Sequence, residues 1–597
     1  MNALTISTAI SSGRVELVNV RQRSLFTARF RVLWVAGIFA LVALVALLRI
    51  AWLGVVQPGP QQTSLADALL PPRGEIVDRN GVPLARAFPA YALWYDPNAL
   101  GDGGSPLVKS PAEVARELVK IFPDMNETEL RERLASRKAG YLRRRVLPEE
   151  ANEVHAIGEL ALELPQETGR QYPQGSMAAH VLGFVAADGH GRVGMEAALD
   201  KRLLDPLQRG KPAMLSLDAR VQGALEDELR RGMLSVDAKG AAGVVLDAYT
   251  GEVLALASLP EFDPNKIDAR GEKNMFNRVT NQVYELGSTF KPLAFASAID
   301  NGVITNLAHR YPAKPLHISG FTIHDDEDLG TSLNIPEALI HSSNIVTAQI
   351  ADELGGKALQ RTLAALGMDE RPSIELPARG MPIWQKGDWS RLRTMTIAYG
   401  HGLAVTPLHL ASAYAALVNG GIWRPATLLK VAPGHAAKGR RVFKASTSAR
   451  MNQLLRMVAI YGTGRKADAP GFRVGGKTGS AEKPGNGGYR HHALISTFAA
   501  AFPMDHPRYV VVAMLDEPKG TVASSFQRTA AWNAAPIVGR LVPRIGPMLG
   551  VMPDDSRDID ISDLKPLIAD DPVEKADEAK DRGETGSGDE AKAGGGR

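Results

Sequence analysis

Three short runs, far apart along the chain, carry side chains able to make one hydroxyl reactive. "YELGSTFKP" places Ser288 three residues before Lys291. If that run opens a helix, the two side chains share a face one turn apart, and Pro292 is tolerated because it falls in the first turn. A serine hydroxyl is a poor nucleophile until a base takes its proton, and a lysine can be that base once burial or a neighbouring cation lowers its pKa. "IHSSNIVTAQ" supplies Ser342, a hydroxyl able to relay a proton, and Asn344, an amide able to hold a substrate amide. "VGGKTGSAEK" supplies Lys477, Thr478, Gly479 and Ser480 in a strand-like context. Its lysine and hydroxyls suit a substrate carboxylate, and Gly479 leaves room for a substrate backbone.

Each run alone has a plainer reading. Ser288, Ser342 and Asn344 are residue types that cap helices. "GFRVGGKTGS" also spells a phosphate loop, G-x-x-x-x-G-K-[ST], through Gly471, Gly476, Lys477 and Thr478. That loop needs a hydrophobic strand before it and a helix after it. Here "GRKADAP" precedes, and "AEKPGNGGYRHH" follows with Pro484 and three glycines. Lys477 is therefore expected to meet a carboxylate, not a triphosphate. What lifts the three runs above chance is their order, S-x-x-K, S-x-N, K-T-G, within one half of the chain. "HDDED" (His324 to Asp328) has the look of a metal cluster, but no second ligand group is suitably spaced and it reads as a solvated loop.

The elements around these runs must bring them together. "AAGVVLDAYTGEVLALASLP" alternates like a hairpin that turns around Asp247 to Gly251, and "ALISTFAAAFP" and "RYVVVAMLDEP" are β-rich. Between them "FKPLAFASAIDNG" and "PLHLASAYAALVNGG" are helical. Strands first, helices between and strands last predict an α/β (α+β) domain, a sheet covered by helices, over residues 215–548. Residues 57–214 mix short helices and strands around "RGEIVDRNGVPLARA", with no catalytic constellation. Val32 to Leu48 is unbroken apolar sequence and continues after Arg49 to Val56. At 1.5 Å per residue the uninterrupted part alone spans roughly 25 Å, so residues 32–56 are predicted as a single membrane span. Arg14, Arg21, Arg23, Arg29 and Arg31 precede it against Glu16 alone, which places residues 1–31 in the cytoplasm and the bulk outside. Residues 549–597 are polar and glycine-rich and are expected to be disordered. A net charge of +4 over 597 residues gives no reason to expect a nucleic-acid partner, and the lack of cysteine excludes disulfides and thiolate chemistry.

The set "STFK", "SSN" and "KTGS" resembles the transpeptidase domain of penicillin-binding proteins. The likeness extends to "GHGLAVTPLHLASAYAALVNGG" and to the "GTG" at Gly462 to Gly464. "RGEIVDRNGVPLA", "GRQYPQGSMAAHVLGFV" and "GRVGME" are similar to the non-catalytic pedestal, the dimerisation-type domain, of the monofunctional class B members. The resemblance implies a serine-type D,D-transpeptidase of the bacterial inner membrane that needs no cofactor or metal, most like the division-specific members. Its substrates would be peptidoglycan stem peptides ending in D-Ala-D-Ala, its inhibitors β-lactams, and its partners an FtsW-type glycosyltransferase and other divisome proteins. Carried over, Ser288 is the acylated nucleophile and Lys291 its base. Ser342 and Asn344 shuttle the proton and orient the peptide, Lys477 and Thr478 hold the terminal carboxylate, and the N–H groups of Ser288 and Ser480 form an oxyanion hole. Leu286 and Ser480 stand where proline and threonine are commoner, and His341 where lysine is frequent. The alternatives are an elongation-specific class B enzyme, a D,D-carboxypeptidase, and a non-catalytic penicillin-binding sensor or divisome scaffold.

Overall fold

The computed structural model of the chain describes residues 20–56, 73–99, 107–186, 188–267, 269–485 and 488–568. Val20–Val56 is one helix of 37 residues. Its apolar stretch, Phe26–Arg49, is 24 residues long and long enough to cross a bilayer. Every described side chain on it is exposed, as a helix meant for lipid requires. Residues 1–19, and the connector over 57–72, lie outside the described residues.

From Arg73 the chain builds a six-stranded sheet on one long strand, Pro83–Tyr95. Ile76–Val77 pairs with it antiparallel around the "DRNG" turn, as the turn spelling predicts. The Asp78 carboxylate closes that turn by accepting the N–H groups of Asn80 and Val82, both at 2.8 Å. Its second oxygen accepts the Ala219 N–H at 3.0 Å and ties the turn to the next domain's first helix. Leu93, Tyr95, Val114, Leu118, Phe122 and Val154 form a separate small core here. The pedestal motifs meet in one buried ion cluster. Glu196, from "GRVGME", accepts Nε of Arg73 at 2.8 Å and Nε of Arg170, from "GRQYPQG", at 2.6 Å. Arg73 also reaches Asp200 at 2.7 Å.

The second sheet has five strands, all antiparallel, in the order Gly475–Gly485, Gly488–Phe502, Tyr509–Asp516, Gly240–Asp247, Val253–Leu259. Side chains alternate across its two faces with period 2. Val511, Ala513 and Leu515 pack under the helices Ala219–Ser235 and Ala534–Ile545. Val510, Val512 and Met514 face the larger core with Phe295, Leu410, Tyr414 and Met451. This is the helix-covered sheet expected from the strand–helix–strand order. The K-T-G run lies on its edge strand.

The expectation of disorder from residue 549 is corrected for residues 549–568, which run along the second domain. Composition marks the segment as solvated, but two of its aspartates are paired with arginines of the second domain. Asp558 meets Arg456 at 2.7 Å and Asp563 meets Arg450 at 2.5 Å. Asp554 gives its carbonyl to Arg473 at 3.0 Å. The apolar residues spaced between them pack inward, Leu564 to 1% exposure. Residues 569–597 lie outside the described residues.

Candidate active site

Gly287–Phe290 forms a single 3₁₀ turn that runs into the helix Lys291–Asp300. Side chains three apart eclipse in such a turn, so Ser288 and Lys291 leave it on the same side. The turn packs backbone to backbone on the edge strand. A Cβ on Gly479 would lie 2.4 Å from the Leu286 carbonyl oxygen and 3.0 Å from the Thr289 nitrogen; one on Gly287 would lie 2.7 Å from the Ser480 carbonyl oxygen. Gly479 is therefore demanded by the turn that carries Ser288, where sequence reasoning reserved the space for substrate. Tyr414, fully buried, donates to the Thr289 carbonyl at 2.8 Å and fixes the turn from behind.

Ser342 sits between the helices Ile335–Ile340 and Asn344–Leu354 with φ +61°, a left-handed conformation rare outside glycine. Its Oγ accepts from Lys291 Nζ at 3.1 Å and from Lys477 Nζ at 2.9 Å. Lys291 Nζ also donates to the Ser342 carbonyl. Sequence reasoning aimed the Lys291 amine at Ser288; its hydrogen bonds run to Ser342, and the three runs do converge, on that hydroxyl. Lys477 Nζ further donates to Thr478 O and Oγ1 at 3.1 and 3.3 Å, and Thr478 Oγ1 shares a 2.7 Å hydrogen bond with Thr463 Oγ1. Ser288 itself is half-buried, so its hydroxyl is reachable. Ser480 Oγ accepts the Ala530 N–H at 3.0 Å, which pins the strand beside the turn.

Both lysines are fully buried, at 0% exposure. Burial, which penalises the ammonium form, brings Lys291 down to about 7 even though the Asp325 and Asp326 carboxylates pull the other way. Lys477 is held well below the usual lysine range by burial and then by repulsion from Lys291. Near neutral pH the site thus holds an uncharged amine next to the Ser342 hydroxyl. Desolvation lowers the pKa of His341, so it adds no charge at neutral pH.

Three contributors went unseen in the sequence. Thr463 was visible only as part of "GTG". Tyr414 was visible only as a helix-core aromatic. Asp325 belongs to the "HDDED" loop, where the expectation of simple solvation fails: its carboxylate accepts from Ser343 Oγ at 2.7 Å and from the N–H groups of Asn344 and Ile345 at 2.5 and 3.0 Å. Asn344, expected to hold substrate, donates Nδ2 to the His324 carbonyl at 3.1 Å.

Comparison with known proteins agrees with this architecture. The "Penicillin binding protein transpeptidase domain" family matches residues 241–541, and the "Penicillin-binding Protein dimerisation domain" family matches residues 68–205. A "Probable peptidoglycan D,D-transpeptidase FtsI" from Caulobacter vibrioides is 37% identical, over 88% of this chain and 89% of the relative. The "Peptidoglycan D,D-transpeptidase FtsI" of Escherichia coli K12 is 30% identical over 86% and 91%. Among solved structures, penicillin-binding protein 3 from Mycobacterium tuberculosis complexed with aztreonam superposes with a TM-score of 0.63 at 25% identity, covering 82% of this chain and 98% of that one.

Proposed function

The chain belongs to the class B penicillin-binding proteins and is a peptidoglycan D,D-transpeptidase, and we propose that it closes cross-links at the division septum through an acyl-enzyme on Ser288. The observation that carries the residue roles is the Ser342 hydroxyl held between two buried amines, 3.1 Å from Lys291 and 2.9 Å from Lys477. Lys291, neutral near pH 7, takes the Ser288 proton as Oγ attacks the carbonyl of the penultimate D-Ala. The developing oxyanion is met by the N–H groups of Ser288 and Ser480. As the tetrahedral intermediate collapses, the C–N bond breaks and the leaving D-Ala amine takes a proton relayed from Lys291 through Ser342. An acceptor amine then attacks the ester, the acyl C–O bond to Ser288 breaks, and the proton the amine loses returns to Ser288 Oγ through Lys291. Lys477 and Thr478 hold the donor's terminal carboxylate; a lysine that is neutral in the empty site gains a proton when that anion arrives. Asn344 orients the stem peptide from the opposite wall.

Of the glutamates between Asn344 and Lys477, Glu353, Glu370 and Glu375, none is followed by asparagine four residues later, and Glu353 and Glu375 accept from the hydroxyls of Tyr311 and Thr427. This favours a long-lived acyl-enzyme over β-lactamase turnover through a glutamate-activated water. In this reading the N-terminal helix is a retained inner-membrane anchor with residues 1–31 in the cytoplasm, 57–214 is the pedestal, and 215–548 is the periplasmic catalytic domain. An FtsW-type glycosyltransferase and other divisome proteins are its partners. The test is labelling of the full-length membrane protein with fluorescent penicillin: wild type is labelled stably, and Ser288→Ala is not. A label that survived the substitution would remove Ser288 from its role. Depletion in cells gives filaments; round cells would assign the enzyme to elongation.

A further inference from the structure

The acidic loop His324–Asp328 has no part in the chemistry just described, yet it grips the one segment on which the three motifs converge. We propose that Asp325 is a positioning residue of the transpeptidase, whose carboxylate fixes the Ser342–Asn344 segment against the two reactive lysines. The proposal rests on Ser288 being the nucleophile and Ser342 the proton relay.

Ser342 is held in a left-handed backbone conformation, which persists only where neighbours over-determine it. From its own helices the segment receives the Ser342 N–H on Leu339 O at 3.2 Å and the Ser343 N–H on Ala338 O at 2.8 Å. Two more bonds reach Ser343, from the Val346 N–H to Oγ at 3.1 Å and from Thr347 Oγ1 to the carbonyl at 2.6 Å. The loop adds a further set. Asp325 Oδ2 takes the hydroxyl of Ser343, which is fully buried, while Oδ1 takes the N–H groups of Asn344 and Ile345. The His324 carbonyl takes Asn344 Nδ2. A carboxylate accepting two N–H groups at the start of the 11-residue helix Asn344–Leu354 is also favoured by the helix dipole. Every residue from 343 to 345 is thus bonded to the loop, and Ser342 is the next residue along. Its carbonyl and hydroxyl are the groups that meet Lys291.

Position and charge are linked here. The charged groups facing Lys291 are Lys477 from the edge strand and Asp325 and Asp326 from the loop. The two carboxylates are the attractive ones, and they keep the Lys291 ammonium from being disfavoured still further. Asp326 is exposed and acts through charge alone, whereas Asp325 acts through charge and through its bonds. The two aspartates therefore separate the electrostatic role from the positioning role.

The experiment measures the second-order rate of acylation by fluorescent penicillin on the full-length protein in detergent, from about pH 5.5 to about pH 9, together with Tm. The variants are Asp325→Asn, Asp325→Ala and Asp326→Asn. Removing the Asp326 charge shifts the midpoint of the pH profile a few tenths of a unit to lower pH and leaves the plateau unchanged. Asp325→Asn shifts the midpoint the same way and also lowers the plateau roughly tenfold, the scale of losing charge-assisted hydrogen bonds; Asp325→Ala lowers it further. A wild-type profile for Asp325→Asn overturns the proposal. So does a plateau loss that tracks a fall in Tm with no movement of the midpoint, because that assigns Asp325 to folding only. Failure of the wild type to label would instead sink the Ser288 reading, so the two failures are distinguishable.

Discussion

Among the described residues, two clusters of buried charge-bearing side chains are built on opposite plans. In the pedestal, Arg73 and Arg170 are buried but face Glu196 and Asp200, so two cations meet two anions. In the catalytic domain, Lys291 and Lys477 are buried beside each other, and both point at a neutral hydroxyl. The first arrangement keeps its charges because every guanidinium has a carboxylate within 2.8 Å. The second cannot keep two ammonium groups, so it gives up protons instead. Compensated burial keeps its charges; uncompensated burial yields neutral amines.

The contrast breaks most visibly at Lys291. Lys291→Met removes the proposed base and fills the same space with an apolar chain, so acylation by fluorescent penicillin falls by roughly 10³-fold, within the range for losing a general base. Tm holds steady or rises, because a buried amine without a counter-ion has been removed. The pedestal answers in the reverse sense. Glu196→Gln leaves Arg73 and Arg170 facing each other with a neutral amide, and stability falls by about 3–5 kcal/mol, read from the urea midpoint. The acylation rate of the folded fraction stays at its wild-type value. A Glu196→Gln enzyme with wild-type stability but slowed acylation would show that the joint tunes the site.

The same contrast explains what was legible in the sequence. That Lys291, Ser342 and Lys477 would meet could be read from three spellings, because the proposed chemistry asks for those types and the fold brings their runs together. The five-stranded sheet followed from period-2 runs such as "RYVVVAMLDEP". The pedestal spellings around Arg73, Arg170 and Glu196 were noticed, but nothing in them says that residues 123 positions apart share one ion cluster. Pairing across such distances belongs to tertiary structure, which single-sequence patterns do not encode. Asp325 was missed for a related reason, since an acidic loop looks solvated until the groups that meet its carboxylate are known. The 549–568 segment failed likewise: its aspartates read as disorder, and the arginines that hold them lie about a hundred residues earlier.

Titration sharpens the comparison further. As the proposed base, Lys291 works only when neutral, so the acylation rate climbs up to tenfold per unit as pH rises towards about 7 and levels off above it. For stability the sign also follows from the lowered pKa. Between about 7 and roughly 10.4 the unfolded chain binds a proton at this lysine that the folded chain does not, so the site's contribution to stability rises with pH across that window. In the pedestal the group that titrates is Asp200, lowered to about 2 by the N–H of Gly191, His190 and Arg73 against the opposing effect of burial. Its stabilisation is present above roughly pH 3.9 and is lost as pH falls through about 2. Scanning unfolding midpoints against pH therefore finds the two clusters at opposite ends of the scale. An acylation midpoint that stayed above pH 9 would mean that Lys291 keeps its proton and is not the base.

The smallest effect is expected where the two plans meet. Arg456 is nearly buried and donates to Asp558 and Asp468, as a compensated cluster does, but Nη1 also holds the Val474 carbonyl at 2.8 Å. Val474 directly precedes the strand that carries Lys477, so Arg456 joins the C-terminal segment to the reactive edge. Asp558→Ala removes one of two carboxylates, and that one is about a third exposed. Asp468 remains, and solvent screens what is lost, so stability falls by about 1 kcal/mol or less. The Val474 bond is untouched, and acylation changes by less than about twofold on that argument. If labelling slowed well beyond that while the urea midpoint barely moved, the segment after residue 549 would belong with the reactive cluster: its charges would be setting the reach of the strand to Ser342, and the line between scaffold and base would have to be drawn on the far side of Arg456.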